Sequence, residues 1–137
     1  MIRNVCLLAT VAILSGCATS AIAPQDAKAA PADRILMTSN PGGVKVTFVR
    51  DTGFLGSGVY QHIYIDGREA ARLNPGEKAE FLLAPGEHIF GVQPTDPFYL
   101  TNLLTIDQDL KIGQAYYYRA HTENGDMTLQ RFIPQAQ

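Results

Sequence analysis

The chain has 137 residues, enough for one domain or one domain with a tail. Lys and Arg number 11 against 13 Asp and Glu, a formal net charge of -2 that excludes a basic nucleic-acid surface, and 2 Cys cannot make a disulfide-dense scaffold. Hydrophobic residues at 46% and aromatics at 9% are a globular composition, which 12 Gly and 8 Pro punctuate into short segments. The first element is a positive residue, Arg3, followed by an apolar run from Val5 to Leu14. The run is well short of the roughly 20 apolar residues that a spanning helix needs, so it reads as a secretory signal.

Leu14-Ser15-Gly16-Cys17 follows. This motif resembles the lipobox of bacterial lipoproteins and matches it at every position. The resemblance implies a signal peptide over residues 1–16, cleavage before Cys17, and a diacylglyceryl group on the Cys17 thiol. The membrane is then a partner through that lipid. Two or three acyl chains, at about 0.8 kcal/mol per buried CH₂, make release negligible. Lipoproteins with Asp after this Cys tend to stay at the inner membrane. Ala18 here favours the outer membrane of a Gram-negative envelope, facing the periplasm. Ala21-Ile22-Ala23 offers ordinary signal peptidase an alternative cut. Pro24 would then be the first mature residue, which that peptidase tolerates poorly. Cys6 is a small hydrophobe within the apolar run and is discarded with the leader. With Cys17 acylated, no thiol is left for catalysis or a disulfide.

Residues 17–43 read as the lipidated Cys and a flexible tether. Seven of the sixteen residues from Ala18 to Asp33 are Ala, but Pro24 and Pro31 interrupt a helix. About 25 coil residues reach roughly 25–30 Å root-mean-square. Ile35-Leu36-Met37 is the one apolar cluster, and it starts a first strand or docks on the domain edge. Val44 to Arg50 then alternates as a half-buried strand does. Asp51 to Gly58 is a Gly-rich loop. Further strands are predicted over Val59–Ile65, Arg68–Leu73, Lys78–Leu83, Glu87–Gln93, Leu100–Asp107, Gln114–Thr122 and Met127–Ile133. Between them stand the turns Asp66-Gly67, Asn74-Pro75-Gly76, Ala84-Pro85-Gly86 and Asn124-Gly125; Asp-Gly and Asn-Gly suit the primed hairpin turn, which needs positive φ at both central residues. The prediction for residues 44–134 is an all-β domain, a small antiparallel β-sandwich of about 7–8 short strands. A domain this size buries about 60–65% of its unfolded surface, enough without disulfides.

The order of landmarks from Phe48 to about Phe132 carries a second likeness. It runs Phe48-Val49-Arg50, Phe54-Leu55-Gly56-Ser57, Ile63-Tyr64-Ile65-Asp66-Gly67, Leu83-Ala84-Pro85-Gly86-Glu87-His88 and Gly113-Gln114-Ala115-Tyr116-Tyr117-Tyr118-Arg119. This resembles small bacterial lipoprotein domains of the domain-of-unknown-function 2846 type. It is also similar to the PEGA sandwich module, with its Asp-Gly hairpin and its Pro-Gly-x-His turn. The resemblance covers about two-thirds of the chain and implies a secreted β-sandwich. It supplies no catalytic residues and no cofactor, and its motifs are mostly turn chemistry. Pro94 to Leu103 departs from the pattern.

Chemistry-bearing residues are sparse. His62, His88 and His121 sit on three predicted strands, with no two close enough in sequence for a local metal signature, so no metal site is assigned. His88 is expected to satisfy backbone groups at the turn exit. Gly53 to Gly58 lacks both the Walker and the dinucleotide patterns. Its Phe54 and Leu55 are bulky residues among glycines, a candidate contact with an envelope protein partner, unless they fold back on the core. Tyr60 and Tyr64 share a strand face with His62, and Tyr116 shares one with Tyr118; such ladders are more often packing than ligand sites. Asp107 and Asp109 read as a solvated turn. Ser57 has no nucleophile elbow. The reading is a non-enzymatic envelope lipoprotein whose sandwich is an interaction or structural module. A small-ligand or glycan binder using the Tyr/His surface is the alternative, and an enzyme ranks third.

Overall fold

A computed structural model describes residues 19–53, 58–94, 102–123 and 126–135. They form β1 (Lys28–Ala29), a 3₁₀ turn (Ala32–Arg34), β2 (Val44–Arg50), β3 (Gln61–Ile65), β4 (Arg68–Leu73), β5 (Glu77–Leu83), β6 (Gly86–Pro94), β7 (Leu104–Leu110), β8 (Ala115–Glu123) and β9 (Asp126–Phe132). The strands make two sheets, one ordered β1-β5-β2-β8-β9 and the other β4-β3-β6-β7. The chain is an all-β sandwich.

Alternation along each strand sends one apolar row between the sheets. Val44, Val46 and Phe48 do so from β2, Ala79, Phe81 and Leu83 from β5, and Ile63 and Ile65 from β3, all buried. Phe48 sits at the centre. Its ring lies 5.2 Å from Phe90 of the opposite sheet, 5.5 Å from Tyr118 and 6.3 Å from Phe81. Tyr116 and Tyr118 are therefore core residues, as their ladder spacing suggested. The Tyr118 hydroxyl donates to Gln108 Oε1 at 2.8 Å, and burial pushes the phenol up to about 12.

Four connections cross from one sheet to the other. Those after β2 and β4 lie at one end, those after β5 and β7 at the other. Because β7 hands the chain back at the end where β2 begins, β8 runs parallel to β2, pairing Lys45 with Ala115 through Arg50 with Ala120. The sandwich is thus antiparallel in five of its seven pairings, not throughout. The Asp66-Gly67 turn has φ of 51° and 75°, the primed hairpin geometry that the dipeptide foretells. Pro85 ends its turn and Gly86 already pairs with Leu110. Asn124 and Gly125 lie outside the described residues, and their neighbours Glu123 and Asp126 pair across the hairpin. β7 sits later than expected, with Ile106 and Leu110 taking the inward register against Phe90 and Gly86. Asp107 and Asp109 therefore lie within a strand, not in a turn, and both are exposed.

The largest difference concerns residues 17–43. From Thr19 onward this segment is a strap bound along the sandwich, not a loose tether. Ser20 bridges Thr52, β1 pairs in parallel with β5, and Ile35 bridges Ala71. Leu36 N–H donates to Ala70 O at 2.8 Å and Asn40 N–H to Leu82 O at 2.7 Å. The Pro residues that prevent a helix do not prevent docking. Pro24 and Ala27 are buried, and sheet edges offer free N–H and C=O groups that an extended segment can satisfy. The strap thereby covers the β5 and β4 edges.

Candidate functional site

The strap begins at the end of the sandwich formed by the C-terminal ends of β2 and β8. There the Ser20 N–H donates to Thr52 O at 2.7 Å, and the Ser20 carbonyl accepts the Thr52 N–H at 3.1 Å. The Thr19 hydroxyl donates to Thr122 O at 3.3 Å. The Ile22 N–H donates to Asp51 Oδ1 at 3.3 Å, and the same carboxylate oxygen is 3.0 Å from Arg119 Nε. Burial raises the Asp51 carboxyl while Arg119 opposes the rise. Lys78 Nζ reaches Pro24 O at 2.8 Å.

Behind this end lies a set of charges that the sequence reading did not single out. Arg50 is 3% exposed and donates to Val59 O at 2.6 Å and to Leu73 O at 2.7 Å, tying one sheet to the other. Burial lowers its guanidinium to about 10, against the pull of Glu77. Glu77 in turn accepts a bidentate pair from Arg34 at 2.6 and 2.7 Å and the Asn74 N–H at 2.8 Å. Burial would raise the Glu77 carboxyl, but these donors outweigh it and hold it below its ordinary value. The guanidinium of Arg34 also covers the Tyr60 ring, 5.2 Å from its centroid. Strand parity carries the signal: Arg50 continues the inward row of Val46 and Phe48, and Glu77 that of Ala79 and Phe81.

The three imidazoles do not converge. His62 is on the outer face of β3, bonded to Glu69, which also accepts from Arg72 Nε at 2.7 Å. His121 lies on the outer face of β8 against the Thr128 hydroxyl. His88 lies at the far end, its Nδ1 2.7 Å from Asp66 Oδ2 and its Nε2 2.7 Å from Ala84 O. Both ring nitrogens face acceptors, which is the turn-exit role expected of it. Among the described residues no group of three His, Cys, Asp or Glu is placed to hold a metal ion. Tyr60, His62 and Tyr64 share the outer face of β3, whereas Tyr117 is on the outer face of the other sheet. Surface grooves of about 470 Å³ beside Arg119 and Phe132, and about 550 Å³ beside His88 and Asp107, gather no two of these His and Tyr side chains. Cys17, Phe54 and Leu55 lie outside the described residues; Gly53, which precedes Phe54, packs on Thr19.

His88 sets a pH dependence. Burial alone would lower its pKa, but the Ala84 carbonyl and Asp66 carboxylate raise it above the ordinary value. A raised folded-state pKa stabilises fully below the unfolded value of about 6.5 and is lost as pH climbs through the folded one. The melting temperature is therefore expected to fall as pH rises from the unfolded value of about 6.5 through the higher folded one. Asp66→Asn, which tolerates the left-handed turn, should shrink that fall; an equal fall in both proteins would contradict the assignment.

Comparison with family models, with curated proteins and with solved structures finds no match for this chain.

Proposed function

We propose that the protein is a lipid-anchored lipoprotein of the bacterial envelope, whose sandwich acts as a non-catalytic interaction or structural module in the periplasm. The supporting observation is the use made of the residues just behind the lipobox. Thr19, Ser20 and Ile22 are all bonded into the sandwich. Cleavage after Ala23 would remove those bonds; cleavage before Cys17 keeps every one of them. The mature chain then starts with Cys17 and Ala18, and Ala18 favours the outer membrane. The likeness to lipoprotein domains of unknown function and to the PEGA module rests on turns such as Asp66-Gly67 and Pro85-Gly86, and agrees with this reading. No cofactor or nucleic acid enters it.

An envelope protein is the proposed partner, with Phe54 and Leu55 as the proposed contact. Binding residues are disproportionately found on loops at the end of a rigid scaffold, and two large apolar side chains there supply anchoring area. A small-ligand or glycan site on the Tyr60–His62–Tyr64 row has less support, since Arg34 covers Tyr60 and Glu69 holds His62.

Fractionation of a Gram-negative host tests the anchor. Wild type is expected in the membrane fraction, and Cys17→Ser in the soluble periplasm or as uncleaved precursor. Mature wild-type protein in the soluble fraction would end the lipoprotein reading.

A further inference from the structure

The docked strap changes what a lipid on Cys17 does. Resting on the proposed acylation of Cys17, we infer that the sandwich lies directly on the membrane surface, with the end built from Thr19, Ser20, Thr52, Gly53 and Thr122 against the lipid headgroups. A free tether over residues 17–43 would let the domain wander roughly 25–30 Å from its anchor. The docked strap removes that slack. Ser20 is held to Thr52 by two backbone hydrogen bonds. Only three virtual bonds separate the Cys17 and Ser20 Cα atoms, so these lie at most about 11 Å apart. The headgroup layer is itself about 5–8 Å deep on each side of the hydrocarbon. An acylated Cys17 seated at the base of that layer therefore brings Ser20 and Thr52 to its outer rim. The sandwich cannot stand clear.

The surface chemistry of the two ends agrees with this pose. At the strap end, Arg50, Asp51 and Glu77 are buried against partners. The described rim there carries small and hydroxylic residues, with Asp26, Lys28 and Asp126 among its exposed charges. At the opposite end, Arg68, Glu87, Asp109 and Lys111 are all exposed. The far end also exposes Asp66, so burying it against lipid would cost more desolvation than burying the strap end. The pose also directs the far end, with its Asp66-Gly67 and Lys111–Gln114 turns, toward the periplasm, and it requires that a partner of Phe54 and Leu55, which follow Gly53 in sequence, be a protein at the membrane surface.

Cysteine labelling reads the pose, because the mature chain has no thiol other than Cys17. Gly58→Cys places a fluorophore at the strap end; a Cβ there meets nothing within 4 Å. Ile112→Cys places one at the opposite end, where Ile112 is 82% exposed. Along β8 the two ends are about 25 Å apart. Each acylated full-length variant is reconstituted in phosphatidylethanolamine–phosphatidylglycerol vesicles carrying a headgroup nitroxide quencher, and flotation is checked first. The label at position 58 is expected to lose most of its intensity and the label at position 112 to keep it. A Gly-Ser linker of about 20 residues inserted between Ala18 and Thr19 should restore the intensity at position 58 while flotation persists, its root-mean-square reach being about 25 Å. Protein that floats but is quenched equally at both ends, or that stays quenched with the linker, overturns the pose alone. Protein that does not float overturns the lipid anchor, and the pose with it.

Discussion

Replacing Glu77 with Ala is expected to destabilise the protein by about 3–5 kcal/mol, the range seen when one partner of a buried ion pair is removed. The Arg34 and Glu77 side chains are 12% and 11% exposed, so water reaches the pair poorly. Without the carboxylate, Arg34 loses both bidentate bonds, the Asn74 N–H loses its acceptor, and Arg50 loses the negative charge that offsets its burial. The loss has a spatial signature as well. Arg34 is the clamp that holds the strap at the β4–β5 corner, also donating to Arg72 O at 3.1 Å. Urea unfolding measures the first effect, and brief trypsin treatment, cutting after Lys28 or Arg34, measures the second. The double variant Arg34→Met with Glu77→Leu should cost clearly less than Glu77→Ala alone, because it removes the Arg34 charge together with its counter-charge and leaves only Asn74 and Arg50 short of a partner group. A loss below about 1 kcal/mol with the strap still resistant would mean that the pair does not hold this corner.

Phe48→Ala is expected to cost a similar amount, about 3–5 kcal/mol, by a different route. Phe48 is fully buried, and its ring touches aromatic partners from both sheets. Truncation opens a cavity that Phe81, Phe90 and Tyr118 cannot close together, because each is fixed by its own strand register. Phe132 is the control. It stacks under Arg119 at 4.5 Å on the outer face and is only partly buried. Its truncation should cost about 1 kcal/mol or less, as surface contacts do. Equal losses at the two positions in thermal melts would place the core elsewhere.

How much of this was legible in the sequence depends on the range of the interaction. The strands and hairpins are local: alternation in Val44–Arg50 and the left-handed requirement at Asp66-Gly67 are written in adjacent residues. The parallel β2–β8 pairing is not local. It follows from the count of crossings between sheets, which no window of sequence contains. The strap was hidden for a further reason. Residues 19–30 have no apolar period because they bind through backbone groups and a few isolated side chains, Ile22, Pro24 and Ala27 among them, so composition alone reads them as coil. Ile35-Leu36-Met37, the one apolar cluster of the segment, did signal a first strand or docking on the domain edge, and Ile35 bridges Ala71. Arg50 and Glu77 were legible by strand parity, but their charge argued for the surface. Their burial becomes tolerable through tertiary partners, among them Arg34 for Glu77 and two backbone carbonyls for Arg50. The site at the strap end therefore needed tertiary contacts, while the proposed lipobox, Leu14-Ser15-Gly16-Cys17, is contiguous.

The chemical state of Cys17 decides the account most directly. Protein expressed from the full-length gene in a Gram-negative host, purified from membranes in detergent and digested with trypsin, gives an N-terminal peptide whose mass can be read. The expected peptide is Cys17–Lys28 with a diacylglyceryl group on its thiol, and with it incorporated labelled palmitate. An unmodified Cys17, or a mature chain that starts at Pro24, would contradict the anchor and the membrane-bound pose that rests on it.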